Sequence, residues 1–259
     1  MTTELPTAPT GLTPVRVLTV AGSDSGGGAG MQADLRTFAT LGVHGCVAVT
    51  AVTVQNSLGV QGFQEIEPQI VAGQITSVVT DIGIGAAKTG MLASSAIIEA
   101  VVDACGGLDI GGDGAIPLVA DPVCASMHGD PLLATGALDA LRTVLFPIAT
   151  VVTPNLDEVR LITGIDVVDD ASQRNAARAL HGLGARWALV KGGHLRSSAQ
   201  SPDLLFNGAQ FHEFTHSRID TPHDHGAGDT LSAAMASALA HGFSMPDAVA
   251  FGKRWVTRG

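Results

Sequence analysis

Apolar residues are grouped along the chain in short, nearly uninterrupted runs that are rich in β-branched side chains. Runs of this kind are typical of strands that are covered on both faces, as in parallel sheets. The pattern predicts five such strands, at residues 15–22, 45–54, 116–123, 148–155 and 186–193.

Segments with helical periodicity lie between and after these runs. They cover residues 29–41, 67–80, 94–105, 134–145, 156–163, 171–183, 229–240 and 245–256. The alternation of strands and helices predicts an α/β fold, in which a doubly wound, mostly parallel central sheet carries helices on both faces. Because no repeat or interior linker divides the chain, we expect a flexible tail at residues 1–14 and one domain at residues 15–259.

Composition excludes several classes of function. The formal net charge of −10 argues against a general nucleic-acid-binding protein. No apolar stretch reaches the ~18 residues of a transmembrane helix, and the opening "MTTELPTAPTGLTP" lacks the features of a signal peptide. The three cysteines are widely spaced and form no CxxC motif, which favours a reduced, cytoplasmic protein without a zinc site.

Polar residues follow several predicted strands, where the ligands of doubly wound sheets bind. The Gln55 amide suits the edge of a heterocycle or a loop cap, and Lys191 suits a phosphate or a surface ion pair. Asp121 fits a metal-bound water or a turn. Glu158 fits Mg²⁺ binding or the dipole of a helix start.

Two candidates lie beside small residues. Asp34 falls one turn into the helix after "GSDSGGGAG", where a solvated helix-surface Asp is the simpler interpretation. Met91 shares the small-residue turn "AAKTGML" with Lys88, and it suits either the face of a flat ring or the core.

A glycine turn, Gly226-Ala227-Gly228, passes directly into an alanine-rich helix that begins with Asp229. Free N–H groups and the positive end of the helix dipole make such a turn an anion site. Asp is also a good N-cap, so this residue fits either a proton acceptor beside a phosphate or a simple cap.

The chain resembles the hydroxymethylpyrimidine/phosphomethylpyrimidine kinases of the ribokinase superfamily over about residues 15–256. It contains, in the family's order, the motifs "GSDSGGGAGMQADL", "AVTVQNS", "KTGML", "DPV", "TPNLDE", "KGGH" and "HGAGDTLSAA". The resemblance implies a ribokinase-like fold and ATP- and Mg²⁺-dependent phosphorylation of 4-amino-5-hydroxymethyl-2-methylpyrimidine. Its monophosphate would then be phosphorylated to the diphosphate used in thiamine synthesis.

The matching motifs also imply roles in binding the pyrimidine. Asp34 and Gln55 would bond the aminopyrimidine edge, and Gly22 would approach the ring with its backbone. Met91 and Val123 would line the ring pocket.

For phosphoryl transfer, the resemblance implies that Glu158 and Lys191 face the Mg-nucleotide. Asp121, considered above from its place at a strand end, is a second candidate metal ligand. Asp229 would lie beside the attacking hydroxyl as the base. The anion hole would be formed by Gly226, Ala227 and Gly228.

Two features depart from the family pattern. Asp229 stands where many members carry Cys in a GTGC motif, whereas sugar and pyridoxal kinases carry Asp. The sequence ends at "FGKRWVTRG" and does not reach the glycine-rich GHGP segment that usually follows. A pyridoxal kinase and a catalytically inactive nucleotide-binding regulator therefore stay open as alternatives, and a homodimer is a candidate assembly.

Overall fold

The computed structural model describes residues 13–124, 133–134, 136–193, 200–217, 219, 221 and 225–258. The predicted tail, residues 1–14, lies outside these residues except for its last two positions. Among the described residues, no helix has the length and apolar character needed to span a membrane.

One sheet of eight strands forms the centre of the fold, in the order β10-β9-β8-β7-β6-β5-β1-β2. Its strands are β1 (Arg16–Ala21), β2 (His44–Val49), β5 (Ala86–Thr89), β6 (Leu118–Ala120), β7 (Val151–Val152), β8 (Trp187–Val190), β9 (Gln200–Phe206) and β10 (Phe211–Ser217). The strands from β2 to β8 in this order are parallel, and β9 and β10 pair antiparallel at one edge. The predicted mostly parallel sheet is therefore confirmed.

Helices cover both faces of this sheet. They are α1 (Gly30–Thr40), α2 (Pro68–Asp81), α3 (Ser95–Gly106), α4 (Ala137–Ala140), α5 (Leu156–Thr163), α6 (Asp170–Gly182), α7 (Ala227–Ala240) and α8 (Met245–Val256). Apolar side chains of α2, α3, α5 and α6 pack on one face, and those of α1, α7 and α8 pack on the other. Neighbouring residues of one strand, such as Val17 and Leu18, pack on opposite faces of the sheet because side chains alternate along a strand.

The predicted strand at residues 45–54 is wrong as a single element. The chain leaves the sheet at Thr50, whose hydroxyl donates to the Met91 carbonyl at 2.6 Å. It then forms a separate two-stranded hairpin of β3 (Ala51–Asn56) and β4 (Gly59–Glu65). Both halves are apolar, so the hydrophobic pattern contains no sign of this break.

Two other predictions also need correction. The small-residue turn around Lys88 is the central strand β5, all of whose residues are buried. The helix predicted at residues 134–145 has only a short α-helical part, α4, which passes into a π turn and a 3₁₀ turn. The alanines of β5 carry little strand signal, so the sequence pattern does not distinguish this strand from a turn.

Candidate active site

A glycine-rich loop connects β1 to α1 and is organised by one carboxylate. Asp24 is buried, and its Oδ1 accepts the Gly26 N–H at 2.8 Å. Its Oδ2 accepts the N–H groups of Gly28 at 2.9 Å and Ala29 at 2.8 Å. The Nε2 atom of His225 lies 3.1 Å from the same oxygen. Asp24 thus ties this loop to the segment that precedes α7.

The second glycine turn begins α7 earlier than the sequence suggests. Gly226 is the N-cap, with φ 80°, and the helix starts at Ala227. Asp229 therefore lies inside the first turn, and the prediction that the helix begins with it is wrong. A side chain at Gly226 would collide with the carbonyl oxygen of Gly28, so glycine lets the two loops touch.

The Asp229 side chain points to a buried lysine. Lys88 Nζ lies 2.9 Å from Asp229 Oδ1 and 2.6 Å from Asp34 Oδ1. The Thr19 hydroxyl donates to the other Asp34 oxygen at 2.6 Å. Lys88 and Asp34 are completely buried, whereas the Asp229 side chain keeps 14% of its exposure. The solvated Asp34 considered from the sequence is thus wrong.

Two carboxylates share the single charge of Lys88. Burial raises the pKa of Asp34 to about 7, against the opposing attraction of Lys88, and Asp229 adds to the rise. Burial disfavours the charged form of Lys88, but the carboxylates of Asp229, Asp34 and Asp121 outweigh it and raise the lysine pKa. The lysine therefore stays protonated at neutral pH.

A second lysine–carboxylate pair lies beside the glycine turn. Lys191, directly after β8, donates to Asp121 Oδ1 at 3.0 Å, and the Thr153 hydroxyl donates to the same oxygen at 2.9 Å. The Ser232 hydroxyl lies 3.2 Å from Asp121 Oδ2. A Cβ atom on Gly228 would lie 3.2 Å from Lys191 Nζ, so this cation borders the turn.

Glu158 belongs to the helix start and also to the charged site. In the capping box of α5, Asn155 Oδ1 accepts the Glu158 N–H, and the Asn155 N–H donates back to Glu158 Oε2 at 2.8 Å. Burial raises the pKa of Glu158 to about 7, with Lys191 opposing and Asp121 contributing to the rise. Glu158 thus lies at a helix start, as the sequence predicts, and its binding of Mg²⁺ stays a prediction.

Carboxylates at this place suit a magnesium–nucleotide. The described residues contain no group of three or more potential metal-ligating side chains. Mg²⁺ needs no such group, because it keeps several waters and binds through one or two carboxylates and substrate phosphates. Glu158 and Asp121 both interact electrostatically with Lys191, and they provide the oxygen ligands that Mg²⁺ prefers.

The proposed pyrimidine-binding residues lie near the first glycine loop. Gly22 follows β1, and a Cβ atom there would lie 3.2 Å from Met91 Sδ. Met91 is a buried core residue, and Val123 packs partly buried against the same core. The Ser25 hydroxyl donates to the Gln55 carbonyl at 2.7 Å, so the hairpin is joined to this loop.

Gln55 and Asp229 therefore border the same edge of the sheet. Gln55 contacts the loop of residues 22–29, and that loop contacts His225 and Gly226 directly before α7. Asp34 lies beneath this edge with both oxygens bonded. A contact of Asp34 with a pyrimidine stays a prediction.

Sequence reasoning missed the central lysine. The sequence pattern places Lys88 in a turn, although a Lys within a buried apolar strand is rare without a partner. The Asp24–His225 contact was also missed, because it joins residues 201 positions apart. The one available signal was that "GSDSGGGAG" contains an acid among glycines, which favours a loop organised by its own N–H groups.

Comparison with known proteins identifies the relatives of this chain. The sequence model of the family described as phosphomethylpyrimidine kinase matches residues 24–259. The hydroxymethylpyrimidine/phosphomethylpyrimidine kinase of Mycobacterium leprae is 66% identical over 257 residues, which cover 98% of this chain and 91% of the relative. The relative of the same name in Streptomyces coelicolor is 52% identical, with 97% and 91% covered.

Solved structures agree with this result. The phosphomethylpyrimidine kinase of Clostridium difficile has a TM-score of 0.82 at 35% identity, with 94% of this chain and 98% of that chain covered. An ADP complex of Bacillus subtilis pyridoxal kinase has a TM-score of 0.84 at 33% identity, with 95% and 91% covered. The motifs, the fold and these similarities agree, and the chain belongs to the phosphomethylpyrimidine kinase family, a group of phosphotransferases with a ribokinase-like fold.

Proposed function

We propose that this kinase transfers the γ-phosphoryl group of ATP to the hydroxymethyl group of 4-amino-5-hydroxymethyl-2-methylpyrimidine, and then phosphorylates the monophosphate. The carrying observation is the junction of a glycine turn with the start of α7, where Asp229 and Lys191 flank the same backbone. The N–H groups of such a turn suit an anion, and a carboxylate beside them suits a hydroxyl that gives up its proton. A phosphoryl group and an attacking hydroxyl meet both needs.

Catalysis rests on positioning and charge, because phosphoryl transfer has a loose transition state. The N–H groups of Gly226, Ala227 and Gly228 face the charge that develops on the transferred group. Lys191 adds a positive charge beside this turn. Asp229 orients the substrate hydroxyl and accepts its proton late, when the oxygen has become acidic.

On the nucleotide side, Glu158 and Asp121 would hold Mg²⁺, and Lys191 would contact the phosphates. The metal neutralises phosphate charge when it is bound. The pairing of Lys191 with Asp121 supports this role, since it keeps the ammonium group fixed beside the turn.

The pyrimidine would bind between β1 and the hairpin. Gly22 leaves its backbone accessible to the ring, Met91 and Val123 line the pocket, and Gln55 bonds the ring edge. For Asp34 to bond the ring as well, one of its hydrogen bonds to Thr19 or Lys88 must break first. The proximity of Gly22 and Met91 and the link from Ser25 to Gln55 support this arrangement.

We further propose that residues 15–259 form one kinase domain that acts in the cytoplasm, as a homodimer. The continuity of the sheet from β1 to β10 supports a single domain. Sedimentation of the purified protein would test the dimer, and a mass corresponding to one chain would contradict it.

The decisive experiment measures ATP consumption with the pyrimidine alcohol, its monophosphate and pyridoxal in parallel, with mass spectrometry of the products. We expect a monophosphate and then a diphosphate from the alcohol, at a higher kcat/KM than for pyridoxal. A preference for pyridoxal would instead favour the pyridoxal kinase alternative, which the Asp in GAGD keeps open. No turnover of any substrate would favour an inactive nucleotide-binding regulator.

A further inference from the structure

Lys88 lies at the centre of the site, although the proposed function gives it no role. We propose that Lys88 is a positioning residue, which fixes one oxygen of the Asp229 carboxylate and leaves the other oxygen to receive the substrate proton. The inference rests on the proposed function, in which Asp229 is the proton acceptor.

Lys88 is held rigidly before it contacts Asp229. Its backbone belongs to β5, between β1 and β6 in the middle of the sheet. Its Nζ lies 2.6 Å from Asp34 Oδ1, and Asp34 is itself fixed by the Thr19 hydroxyl of β1. The ammonium group is therefore anchored by two strands and by α1, and Asp229 of α7 is the only outward-facing member of the group.

The contact with Asp229 is directional. Lys88 lies 2.9 Å from Oδ1, whereas Oδ2 of Asp229 makes no hydrogen bond to any described residue. The Asp229 side chain is also partly exposed, in contrast to its two enclosed neighbours. Gly90 adjoins the pair, since a Cβ atom there would lie 3.7 Å from Lys88 Nζ and 3.9 Å from Asp229 Oδ1. One carboxylate oxygen is thus held by Lys88, and the other belongs to a side chain that is partly open to solvent.

A purely structural role explains this arrangement poorly. Apolar residues of similar volume are often at least as stabilising as a buried ion pair. Here two acids share one cation, and Lys88 and Asp34 are completely buried, where charged groups are rare. The raised pKa of Asp34 is the consequence of that crowding. Holding Asp229 in one orientation is a benefit that apolar packing would not supply.

A double-mutant cycle between Lys88→Met and Asp229→Asn tests the inference. Met keeps the length of the lysine side chain without its charge. Because loss of alignment at a reacting centre costs about 10²-fold in rate, we expect Lys88→Met to lower kcat by about 10²-fold and to leave the KM for ATP unchanged. In the Asp229→Asn background, the same substitution should cost less than about threefold, since residues that act as a unit are non-additive.

The outcomes separate this inference from the proposed function. If Asp229→Asn keeps wild-type turnover, the proposed role of Asp229 fails, and the inference fails with it. If Asp229→Asn is impaired but Lys88→Met lowers kcat equally in both backgrounds, only the role of Lys88 is overturned. Non-additive losses with normal melting curves support both.

A matched pair covers the case in which Lys88→Met does not fold because two acids are left without a cation. Asp34→Asn is compared with Asp34→Asn/Lys88→Met. Both variants lack the Asp34 carboxylate, so the difference between their kcat values reports on Lys88. In the double variant only the partly exposed Asp229 is left without a cation. We expect kcat of the double variant to be lower by about 10²-fold. Equal kcat in two folded proteins would overturn the inference.

Discussion

At the residue scale, the most informative side chain is Asp229. The sequence alone is compatible with an N-cap or with a proton acceptor at this position. Asp229 lies inside the first turn of α7, so it is not the N-cap. It lies beside a cation and keeps part of its surface open. Gly226 occupies the N-cap position, so N-capping does not account for this carboxylate.

We predict that Asp229→Asn lowers kcat by about 10²–10⁴-fold, the usual contribution of a general base. Asn has nearly the same size as Asp, and Lys88 remains paired with Asp34 in this variant. The melting temperature should therefore change little. Asp229→Cys, which restores the residue common in the pyrimidine kinases, should keep more activity than Asn. Steady-state kinetics and thermal melting of the same preparations check this, and near-normal turnover of the Asn variant would require another proton acceptor.

Gln55 allows a prediction about substrate recognition. Removing its amide would leave polar groups of the bound pyrimidine unpaired, at a cost of about 1–3 kcal/mol. Gln55→Ala should therefore raise the KM for the pyrimidine and leave the KM for ATP nearly unchanged. Gln64→Ala, an exposed position on β4 of the same hairpin, is the control and should change neither value. Equal losses for both substrates in the Gln55 variant would indicate a folding defect.

At the scale of elements, the site depends on how two glycine loops meet. The loop after β1 and the turn before α7 come from opposite ends of the chain, yet a single methyl group at Gly226 would strike the Gly28 carbonyl. The backbone N–H groups proposed for the anion hole are therefore positioned by the neighbouring loop as well as by the helix. Glycine is therefore needed at position 226 for two reasons: the left-handed backbone conformation and the lack of space for a Cβ atom.

Comparing two glycines separates these needs. Gly226 and Gly242 have nearly the same φ, 80° and 81°, but an added Cβ meets no atom within 4 Å at Gly242. Substitution of either by Ala should cost about 1–2 kcal/mol for the left-handed backbone. Only Gly226→Ala should also reduce kcat, by about 10²-fold or more, because it would shift the proposed anion hole. Similar kinetics for the two folded variants would contradict this.

The elements themselves were only partly predictable from the sequence. Helices α5 and α8 begin and end where the periodicity indicates, because capping residues and amphipathic spacing coincide there. Strand β5 and the hairpin were not found. The alanines of β5 lack the bulky side chains that mark a strand, and the apolar run at residues 45–54 crosses from one sheet to another without a turn signal.

At the scale of the whole molecule, the site is assembled from long-range pairs. Lys88 meets a residue 141 positions away, and Asp121 meets a lysine 70 positions away. The rule that ligands bind at the carboxyl ends of strands predicted which segments converge. It does not specify which acid pairs with which lysine, since that choice depends on strand order and side-chain direction. The motifs were therefore located from the sequence, and their pairing required the structure.

The contact between Asp24 and His225 joins distant parts of the chain, so it should affect the stability of the whole fold. Burial opposes the charged form of Asp24, but the N–H groups of Ala29 and Gly26, together with His225, outweigh it and lower the pKa. A carboxyl whose pKa is lower in the folded state stabilises the protein fully at pH values above its pKa in the unfolded state. This stabilisation is lost as the pH falls through the pKa of the folded state. Neutral pH therefore gives the full effect.

Asp24→Asn should accordingly lower the free energy of unfolding by about 1.5–3 kcal/mol at pH 7, the range for hydrogen bonds to a charged group. The difference from wild type should shrink as pH falls below the ordinary Asp value of about 3.9. Asp169→Asn is the matched control: its pKa is also lowered, but it is an exposed N-cap of α6, where Asn serves equally well. Urea unfolding of the three proteins from pH 3 to pH 8 measures both effects. A difference between wild type and Asp24→Asn that stays constant over this range would show that the loss comes from packing and not from the charge of Asp24.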